Sequence, residues 1–240
     1  MKYYVIHNLE SYRYENILNL LKDSKINLED VKFINHPNKN ELTYSIKKYA
    51  VQKNSNLKDG WISCSYKHYL ALKDIVENEY EYAVIMEDNI GVFYENIILR
   101  LEKYKKQLPS DWDIIFDSVW FDYSLLNEEE VTSDKLVYKK SNEPTYNKEG
   151  EMIAGGGTRA AQFYFLKYEA AKKIYENFLP FNHSADMWLN EVIRKCNLNS
   201  FWSEPSLVVS KLNKVTSTNI SNKEFIYKIK SKIINLYLGI

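Results

Sequence analysis

About a third of the way along the chain, an apolar run ends in two acids and an amide, and side chains of these types can bind a metal ion or another ligand. Residues 83–86, Ala-Val-Ile-Met, precede Glu87, Asp88 and Asn89, and apolar character resumes around Gly91. Ligands of open α/β sheets collect beyond the carboxyl ends of the strands. A buried strand that ends in carboxylates is therefore suited to hold a metal ion and a phosphorylated ligand. The alternative is that the triplet only caps the strand and solvates a turn.

The charge balance narrows the classes of partner. Lys and Arg total 32, Asp and Glu also total 32, and the formal net charge is zero. A protein whose main partner is nucleic acid or an anionic membrane usually carries excess basic charge, so we expect no nucleic-acid partner. The length of 240 residues suits one domain, 1–240, built around a single core.

Cysteine usage and the lack of membrane signals suggest a reducing compartment. Cys64 and Cys196 form no Cys-x-x-Cys pair, so we expect buried thiols rather than a disulfide framework or a zinc site. The N-terminus lacks the features of a signal peptide, and no apolar stretch is long enough to span a bilayer. We expect a cytoplasmic protein. The heavy use of Asn, Lys, Ile and Tyr is typical of AT-rich genomes, such as those of some bacteria and large DNA viruses.

Hydrophobic periodicity divides the chain into alternating strands and helices. Strands are predicted at 2–6, 31–34, 83–86, 112–116, 160–166 and 201–209, the last broken by a proline. Helices are predicted at 11–24, 41–53, 61–78, 94–107, 168–178 and 185–195. Between them, residues 117–157 are predicted to form a long loop with a hairpin around 135–140. This alternation predicts an α/β fold with a mostly parallel sheet flanked by helices on both faces.

The C-terminal segment is predicted to be a basic amphipathic helix at about 222–238. Its apolar residues share one face and several lysines lie on the other. Such a helix can pack on its own domain, bind a second subunit in a homo-oligomer, or make peripheral contact with a membrane surface. The sequence leaves these alternatives open.

Three stretches resemble glycosyltransferase family 25. Residues 60–72, Gly-Trp-Ile-Ser-Cys-Ser-Tyr-Lys-His-Tyr-Leu-Ala-Leu, resemble the family's Gly-x-Ile-x-Cys-x-x-Ser-His helix. Residues 82–89, Tyr-Ala-Val-Ile-Met-Glu-Asp-Asn, resemble its Ile-Leu-Glu-Asp-Asp strand, and residues 5–13 resemble its opening strand with a downstream Arg. The family includes lipopolysaccharide galactosyltransferases and procollagen hydroxylysine galactosyltransferases. The chain departs from the family pattern at Lys67, in place of Ser, and at Asn89, in place of Asp.

The resemblance implies a GT-A-type fold and an inverting hexosyltransferase. The implied reaction moves galactose or glucose from a UDP-sugar to a hydroxyl of a glycan or hydroxylysine-type acceptor. A divalent metal can neutralise the charge that builds on the leaving diphosphate, and oxygen ligands suit Mn²⁺ or Mg²⁺. The implied metal ligands are Glu87, Asp88 and Asn89. An amide oxygen brings no charge, so a catalytically weak or inactive relative that binds nucleotide sugars or glycans is the alternative function.

The remaining site predictions concern the donor and the acceptor. The predicted donor-binding residues are Val5, Asn8, Arg13, Glu87, Asp88, Arg159 and Lys211. The glycines at 155–157 allow the backbone to approach a ligand, with Arg159 on a phosphate, or form a flexible hinge. Solvation is the alternative for Lys211, and a surface salt bridge for Arg13.

An inverting transfer also needs a base for the acceptor hydroxyl. Asp186, at the start of a predicted helix, resembles the acid that the family places there, and helix capping is the alternative role. His183 is the second candidate base. His68 occupies the family's His position within a buried stripe, where we expect it to fix a backbone carbonyl near the site rather than to ligate a metal or act as a base.

Overall fold

The computed structural model describes residues 1–9, 11–92, 96–119, 135–146, 152–154, 156–204 and 206–210. Its strands are β1 (Lys2–Ile6), β2 (Val31–Ile34), β3 (Tyr82–Glu87), β4 (Ile90–Val92), β5 (Ile114–Phe116), β6 (Ser118–Val119), β7 (Val137–Lys139), β8 (Thr145–Tyr146), β9 (Met152–Ala154), β10 (Phe163–Lys167), β11 (Ser200–Ser203) and β12 (Val208–Ser210). Its α-helices are α1 (Ser11–Asp23), α2 (Tyr44–Ala50), α3 (Asp59–Glu77), α4 (Ile97–Gln107), α5 (Tyr168–Phe178) and α6 (Ala185–Lys195).

A seven-stranded sheet in the order β2-β1-β3-β10-β5-β11-β7 forms the centre of the protein. Strands β2, β1, β3, β5 and β11 run in one direction, and β10 and β7 run against them. The predicted α/β class and the mostly parallel sheet are therefore confirmed. Antiparallel β10 lies between β3 and β5, at the middle of the sheet.

Helices cover both faces of this sheet, so β3 alternates between two separate cores. Ala83 and Ile85 belong to the core formed with α3, α5 and α6. Val84 and Met86 belong to the core formed with α1 and α4. Successive side chains of a strand point to opposite faces. The residues that follow Met86 therefore leave the sheet on opposite sides.

The register of β1 and β3 brings the ends of the two strands together. The strands are parallel neighbours, with Ile6 opposite Glu87. The pairing continues one step beyond, because the Asp88 N–H donates to the Ile6 carbonyl at 3.1 Å. The dipeptide His7-Asn8, which follows β1, is consequently placed beside Asp88.

The sequence prediction of a helix over 41–53 is too long. Lys39–Glu41 forms a single 3-10 turn, and Thr43 caps α2 by accepting from the Ile46 N–H at 3.2 Å. The helix ends at Ala50, because Val51 turns extended and bridges to Phe181. Similarly, the predicted helix over 94–107 begins only at Ile97.

Two predicted strand patterns are also corrected. The strand predicted over 201–209 is two strands in different sheets: β11 lies in the main sheet, whereas β12 lies between β4 and β6 in a three-stranded sheet. Strand β7 pairs with β11 instead of forming a local hairpin within the described residues. The predicted C-terminal helix at 222–238 and Lys211 lie outside the described residues.

Asp117, which the sequence analysis did not single out, anchors the connection between β11 and β12. Its carboxylate is 1% exposed and accepts from the Leu207 N–H at 2.7 Å and from Ser206 Oγ at 3.2 Å. The hydroxyls of Tyr104 and Ser203 also donate to it. Four donors thus compensate for the burial of the Asp117 carboxylate. These hydrogen bonds hold the segment between β11 and β12 against the end of β5.

The described helices include none with the combined length and apolarity needed to cross a membrane.

Gly157 offers a test of how closely β11 and α6 pack. A Cβ there would lie 2.8 Å from Ile193 Cγ2 and 3.1 Å from Ser200 Cβ, which is overpacking. We expect Gly157→Ala to lower the free energy of unfolding by about 1–3 kcal/mol in urea denaturation. Gly60→Ala is the matched control, because a Cβ at Gly60 meets nothing within 4 Å. The control should leave stability unchanged or raise it by up to about 1 kcal/mol. If both variants changed the free energy of unfolding equally, the close packing of Ile193 and Ser200 around Gly157 would be contradicted.

Candidate active site

The carboxylate of Asp88 points into the protein and is 5% exposed. Its Oδ2 accepts from the Asn8 N–H at 2.8 Å and lies 2.8 Å from His7 Nδ1. Since an ionised carboxylate only accepts, the ring donates from that nitrogen. Oδ1 lies 3.5 Å from a terminal nitrogen of Arg13. Asp88 therefore joins the end of β3 to the loop after β1 and to α1.

Buried Lys67 holds the same loop from the α3 side. Its ammonium donates to the His7 carbonyl at 2.6 Å, to Asn38 Oδ1 at 2.8 Å and to Asn8 Oδ1 at 3.3 Å. These three oxygens match the three donors of an ammonium group. Burial lowers the pKa of Lys67, and the nearby Asp88 carboxylate opposes this shift. His7-Asn8 is thus fixed between a buried anion and a buried cation.

Glu87 faces the other core, toward α3. Its Oε1 lies 3.7 Å from Cys64 Sγ and 3.6 Å from His68 Nε2. Glu87, Cys64 and His68 each offer one potential ligand atom, and these three atoms lie within 4.8 Å of one another. Cys64 and His68 are one turn apart on α3, which places them on one helix face.

The triplet therefore does not fit a single hard metal ion in this conformation. Glu87 and Asp88 follow the alternation of β3 to opposite faces, and both carboxylates already have partners. Asn89 is half-buried, and its Oδ1 lacks a hydrogen-bond partner within the described residues. Mn²⁺ and Mg²⁺ prefer several oxygen ligands around one point. We therefore derive no catalytic step through such an ion.

His68 is wholly buried, as predicted, but its partner is not a backbone carbonyl. Its Nδ1 lies 2.9 Å from the Tyr164 hydroxyl, and the two rings stack at 5.8 Å. Its Nε2 has no hydrogen-bond partner in the described part of the chain. The sequence could not indicate this pairing, because Tyr164 lies on β10, 96 residues away.

The start of α6 lies near the Glu87 side of the strand end. Burial raises the pKa of the Cys64 thiol well above its ordinary value, and the carboxylates of Glu87 and Asp186 raise it further. The residue before Asp186, Ala185, packs in the core formed with α3. The N-cap position of α6 belongs to Ser184, whose hydroxyl donates to Asp186 Oδ1 at 2.6 Å. This corrects the capping alternative for Asp186, while His183 is exposed.

Arg159 lies inside the protein rather than on an open surface. It is 1% exposed, donates to the Ser203 carbonyl at 2.6 Å and pairs with Glu204. The segment before it is closely packed, since the Gly157 carbonyl accepts from Trp202 Nε1 at 2.8 Å. The hinge alternative does not describe Gly157, and a phosphate contact by Arg159 stays a prediction that requires its ion pair to open.

The other predicted donor contacts differ in exposure. Val5 is wholly buried in the core with α1 and α4, so its side chain positions β1. Asn8 is exposed at the strand ends, and the Arg13 side chain is 15% exposed. Gly155 and Lys211 lie outside the described residues.

Sequence reasoning missed three residues that organise this site: His7, Lys67 and Tyr164. Two of them had a signal in the sequence. Lys67 is a charge within a helix that is apolar on two sides, and His7 directly follows a buried strand. Tyr164 had none, because tyrosine is an ordinary core residue.

A family model decides the relationship that these motifs suggested. The model described as glycosyltransferase family 25 (LPS biosynthesis protein) matches residues 1–189. The chain belongs to glycosyltransferase family 25. The matched region includes α3, the strand-end triplet and the start of α6. No curated protein matches this family member at a significant level.

Two solved structures show limited similarity to this family 25 chain. One is a Bacillus anthracis protein described as a putative glucose-1-phosphate thymidylyltransferase in complex with sucrose. It has 11% identity and a TM-score of 0.45, and the match covers 97% of this chain and 95% of that chain. Another is a mutant Drosophila β1,4-galactosyltransferase 7 in complex with manganese, UDP-Gal and xylobiose. It has 8% identity and a TM-score of 0.42, and the match covers 94% of this chain and 78% of that chain.

Removing the Asp88 carboxylate should destabilise the protein. Asp88→Ala leaves the Asn8 N–H and the His7 ring without their acceptor beside buried Lys67, and breaking such a buried network costs about 3–5 kcal/mol. The measurement is the free energy of unfolding in guanidinium. Glu77→Ala is the control, because Glu77 is exposed and pairs with Lys73 at 3.5 Å on the surface. Its effect should stay within about 0.5 kcal/mol. An Asp88 variant as stable as the control would contradict the anchoring role.

Proposed function

We propose that this family 25 member is an inverting hexosyltransferase. In this proposal it moves galactose or glucose from a UDP-sugar to a hydroxyl of a glycan or a hydroxylysine-type acceptor. The observation that supports the proposal most is the junction of β1 and β3, where Asp88 fixes the exposed Asn8 loop at the carboxyl ends of two parallel strands. Ligands of open α/β sheets bind at this end of the strands.

The proposed donor contacts are the loop after β1 and the strand-end triplet. Asn8 offers an exposed side chain, and Arg13 offers a partly exposed guanidinium beside Asp88. A guanidinium is suited to bind phosphate oxygens in a bidentate manner. Glu87, Asp88, Arg159 and Lys211 remain predicted donor contacts, and a phosphate contact by Arg159 requires its ion pair with Glu204 to open.

Asp186 is the proposed base for the acceptor hydroxyl. It lies in the first turn of α6, next to Ala185, which packs in the core on the Glu87 side of β3. The proposal is supported by this position of α6 and by the contribution of the Asp186 carboxylate to the raised pKa of the Cys64 thiol. Its hydrogen bond from Ser184 orients one oxygen and leaves the second to accept a proton. His183, which is exposed in the same loop, is the second candidate.

The metal requirement is a separate part of the proposal. Family membership implies Mn²⁺ or Mg²⁺, with Glu87, Asp88 and Asn89 as predicted ligands. When bound, such an ion would stabilise negative charge on the leaving diphosphate. The triplet does not fit such an ion in the geometry described above, because its carboxylates lie on opposite faces of β3 and already have partners, so family membership alone supports this part of the proposal.

A nucleotide-sugar-binding relative with little or no turnover is the second candidate function. Two observations favour it: both oxygens of Asp88 have partners, and the next ligand position holds an uncharged Asn89. A weakly held metal would slow transfer while donor binding persists.

A donor screen distinguishes the two candidates. The chain is incubated with UDP-galactose, UDP-glucose, GDP-mannose and CMP-sialic acid, with and without Mn²⁺. Thermal stabilisation and release of the free nucleotide are measured. A transferase should release UDP from one or both UDP-hexoses, and the binding relative should show stabilisation by UDP-hexose without release. Stabilisation by none of these donors would contradict both candidates.

The role of Asp186 predicts a specific loss of turnover. Asp186→Asn keeps the shape and the Ser184 hydrogen bond but removes the proton acceptor, and general-base assistance is worth roughly a hundred- to ten-thousand-fold in rate. We expect kcat to fall by that factor while donor Kd and Tm stay near wild type. Glu191→Gln is the matched control, because the side chain of Glu191 is 45% exposed on the same helix and pairs with Arg194. Undiminished transfer by Asp186→Asn would shift the role to His183.

A further inference from the structure

We propose that Cys64, His68 and Glu87 bind a divalent transition-metal ion of the zinc type. The site lies on the α3 side of β3, on the face opposite Asp88. It shares Glu87 with the Mn²⁺ or Mg²⁺ ligand set implied by the family but takes its other two ligands from α3, and it does not depend on the proposed transferase activity.

The distances suit tetrahedral coordination. Zinc binds Cys sulfur at about 2.3 Å, and His nitrogen and carboxylate oxygen at about 2.0–2.2 Å, which gives ligand-to-ligand distances of about 3.3–3.6 Å in a tetrahedron. Glu87 Oε1 lies 3.6 Å from His68 Nε2 and 3.7 Å from Cys64 Sγ. Two of the three ligand pairs are therefore already close to tetrahedral spacing, and the third pair, Cys64 and His68, lies within 4.8 Å.

The unpartnered nitrogen of His68 is the second observation that points to a ligand. The residue is 0% exposed, and a buried ring nitrogen without a hydrogen bond is unfavourable. This Nε2 is directed toward Glu87 Oε1. A metal ion would supply the partner that the described residues do not.

Tyr164 completes the arrangement behind the histidine. Metal-binding His residues use their second nitrogen in a hydrogen bond that fixes the ring and its tautomer. The Nδ1 of His68 lies 2.9 Å from the Tyr164 hydroxyl, and the stacked rings restrict rotation. Burial keeps the pKa of Tyr164 well above its ordinary value, so its oxygen stays a neutral acceptor for the Nδ1 proton.

The ligand types select the ion. A thiolate and an imidazole favour Zn²⁺ over Mn²⁺ or Mg²⁺, which prefer oxygen ligands. Binding would deprotonate the Cys64 thiol, and the proton would pass to solvent. The side chain of Glu87 is 19% exposed, so a fourth coordination position can open toward solvent for water.

Cobalt substitution tests the site without reference to activity. The full chain, freed of any affinity tag and of metal, is titrated with Co²⁺. We expect one equivalent to bind with a thiolate-to-cobalt charge-transfer absorption in the near ultraviolet, and Zn²⁺ to displace it. Cys64→Ser should lose this absorption, and Cys196→Ser, which removes the other free cysteine, should retain it. Tyr164→Phe should weaken Co²⁺ binding by about 10-fold or more.

A protection experiment on the wild-type chain covers the case in which Cys64→Ser does not fold. One equivalent of Zn²⁺ should block alkylation of Cys64 by iodoacetamide and leave alkylation of Cys196 unchanged, as measured by peptide mass spectrometry. Absence of the charge-transfer absorption in folded wild type would overturn the site, as would its persistence in Cys64→Ser or equal alkylation of Cys64 with and without Zn²⁺. None of these outcomes bears on the donor screen, so the two proposals fail separately.

Discussion

The fixation of His7-Asn8 between two buried opposite charges is the constraint on which the site depends. Asp88 binds the His7 ring and the Asn8 N–H, while Lys67 binds the His7 carbonyl and the Asn8 side chain. A charge taken out of water is unfavourable unless it is paired and hydrogen-bonded, and here each charge finds its partners on the same dipeptide. Moving the dipeptide would break both sets of contacts together. The loop after β1 therefore has one defined position at the carboxyl ends of β1 and β3.

The two acids at the end of β3 lie on opposite faces of the sheet. Because β3 is covered on both faces, Glu87 and Asp88 enter different environments although they are adjacent in sequence. Asp88 accepts from the His7 ring and the Asn8 N–H in the loop after β1 and lies near Arg13 on α1. Glu87 meets a thiol and an imidazole from α3. One acidic motif thus provides an anchor on one side and a metal ligand candidate on the other, which explains why the two roles need not compete.

Buried charged groups recur near strand ends, and their partners are distant in sequence. Asp117 after β5 gathers donors from α4 and from the segment that joins β11 to β12. Arg159, which precedes β10, pairs with Glu204 just beyond β11 and lies over the ring of Trp202 in β11. Strand ends leave the hydrogen-bonded ladder, so their side chains and backbone need other partners. The fold meets this need with buried charged groups, which fix the three-stranded sheet against the main sheet.

The sequence by itself determined the alternating elements, the strand that ends in Glu87, Asp88 and Asn89, and the family. These features are local: periods of 2 and 3.6 residues are read within a short window, and the family motif lies within residues 60–89. The prediction of one strand over residues 201–209 is wrong, because this apolar stretch contains two strands that belong to different sheets. Periodicity indicates a strand but does not identify its partner.

Only the tertiary structure decided which groups meet. It placed β10 antiparallel between β3 and β5, sent Glu87 and Asp88 to different faces, and joined Lys67 to His7 across 60 residues and His68 to Tyr164 across 96 residues. It also brought Cys64, predicted from the sequence to be a buried thiol rather than part of a zinc site, next to His68 and Glu87. Such contacts depend on strand order and register, which arise from the packing of the whole sheet and have no counterpart in a local pattern.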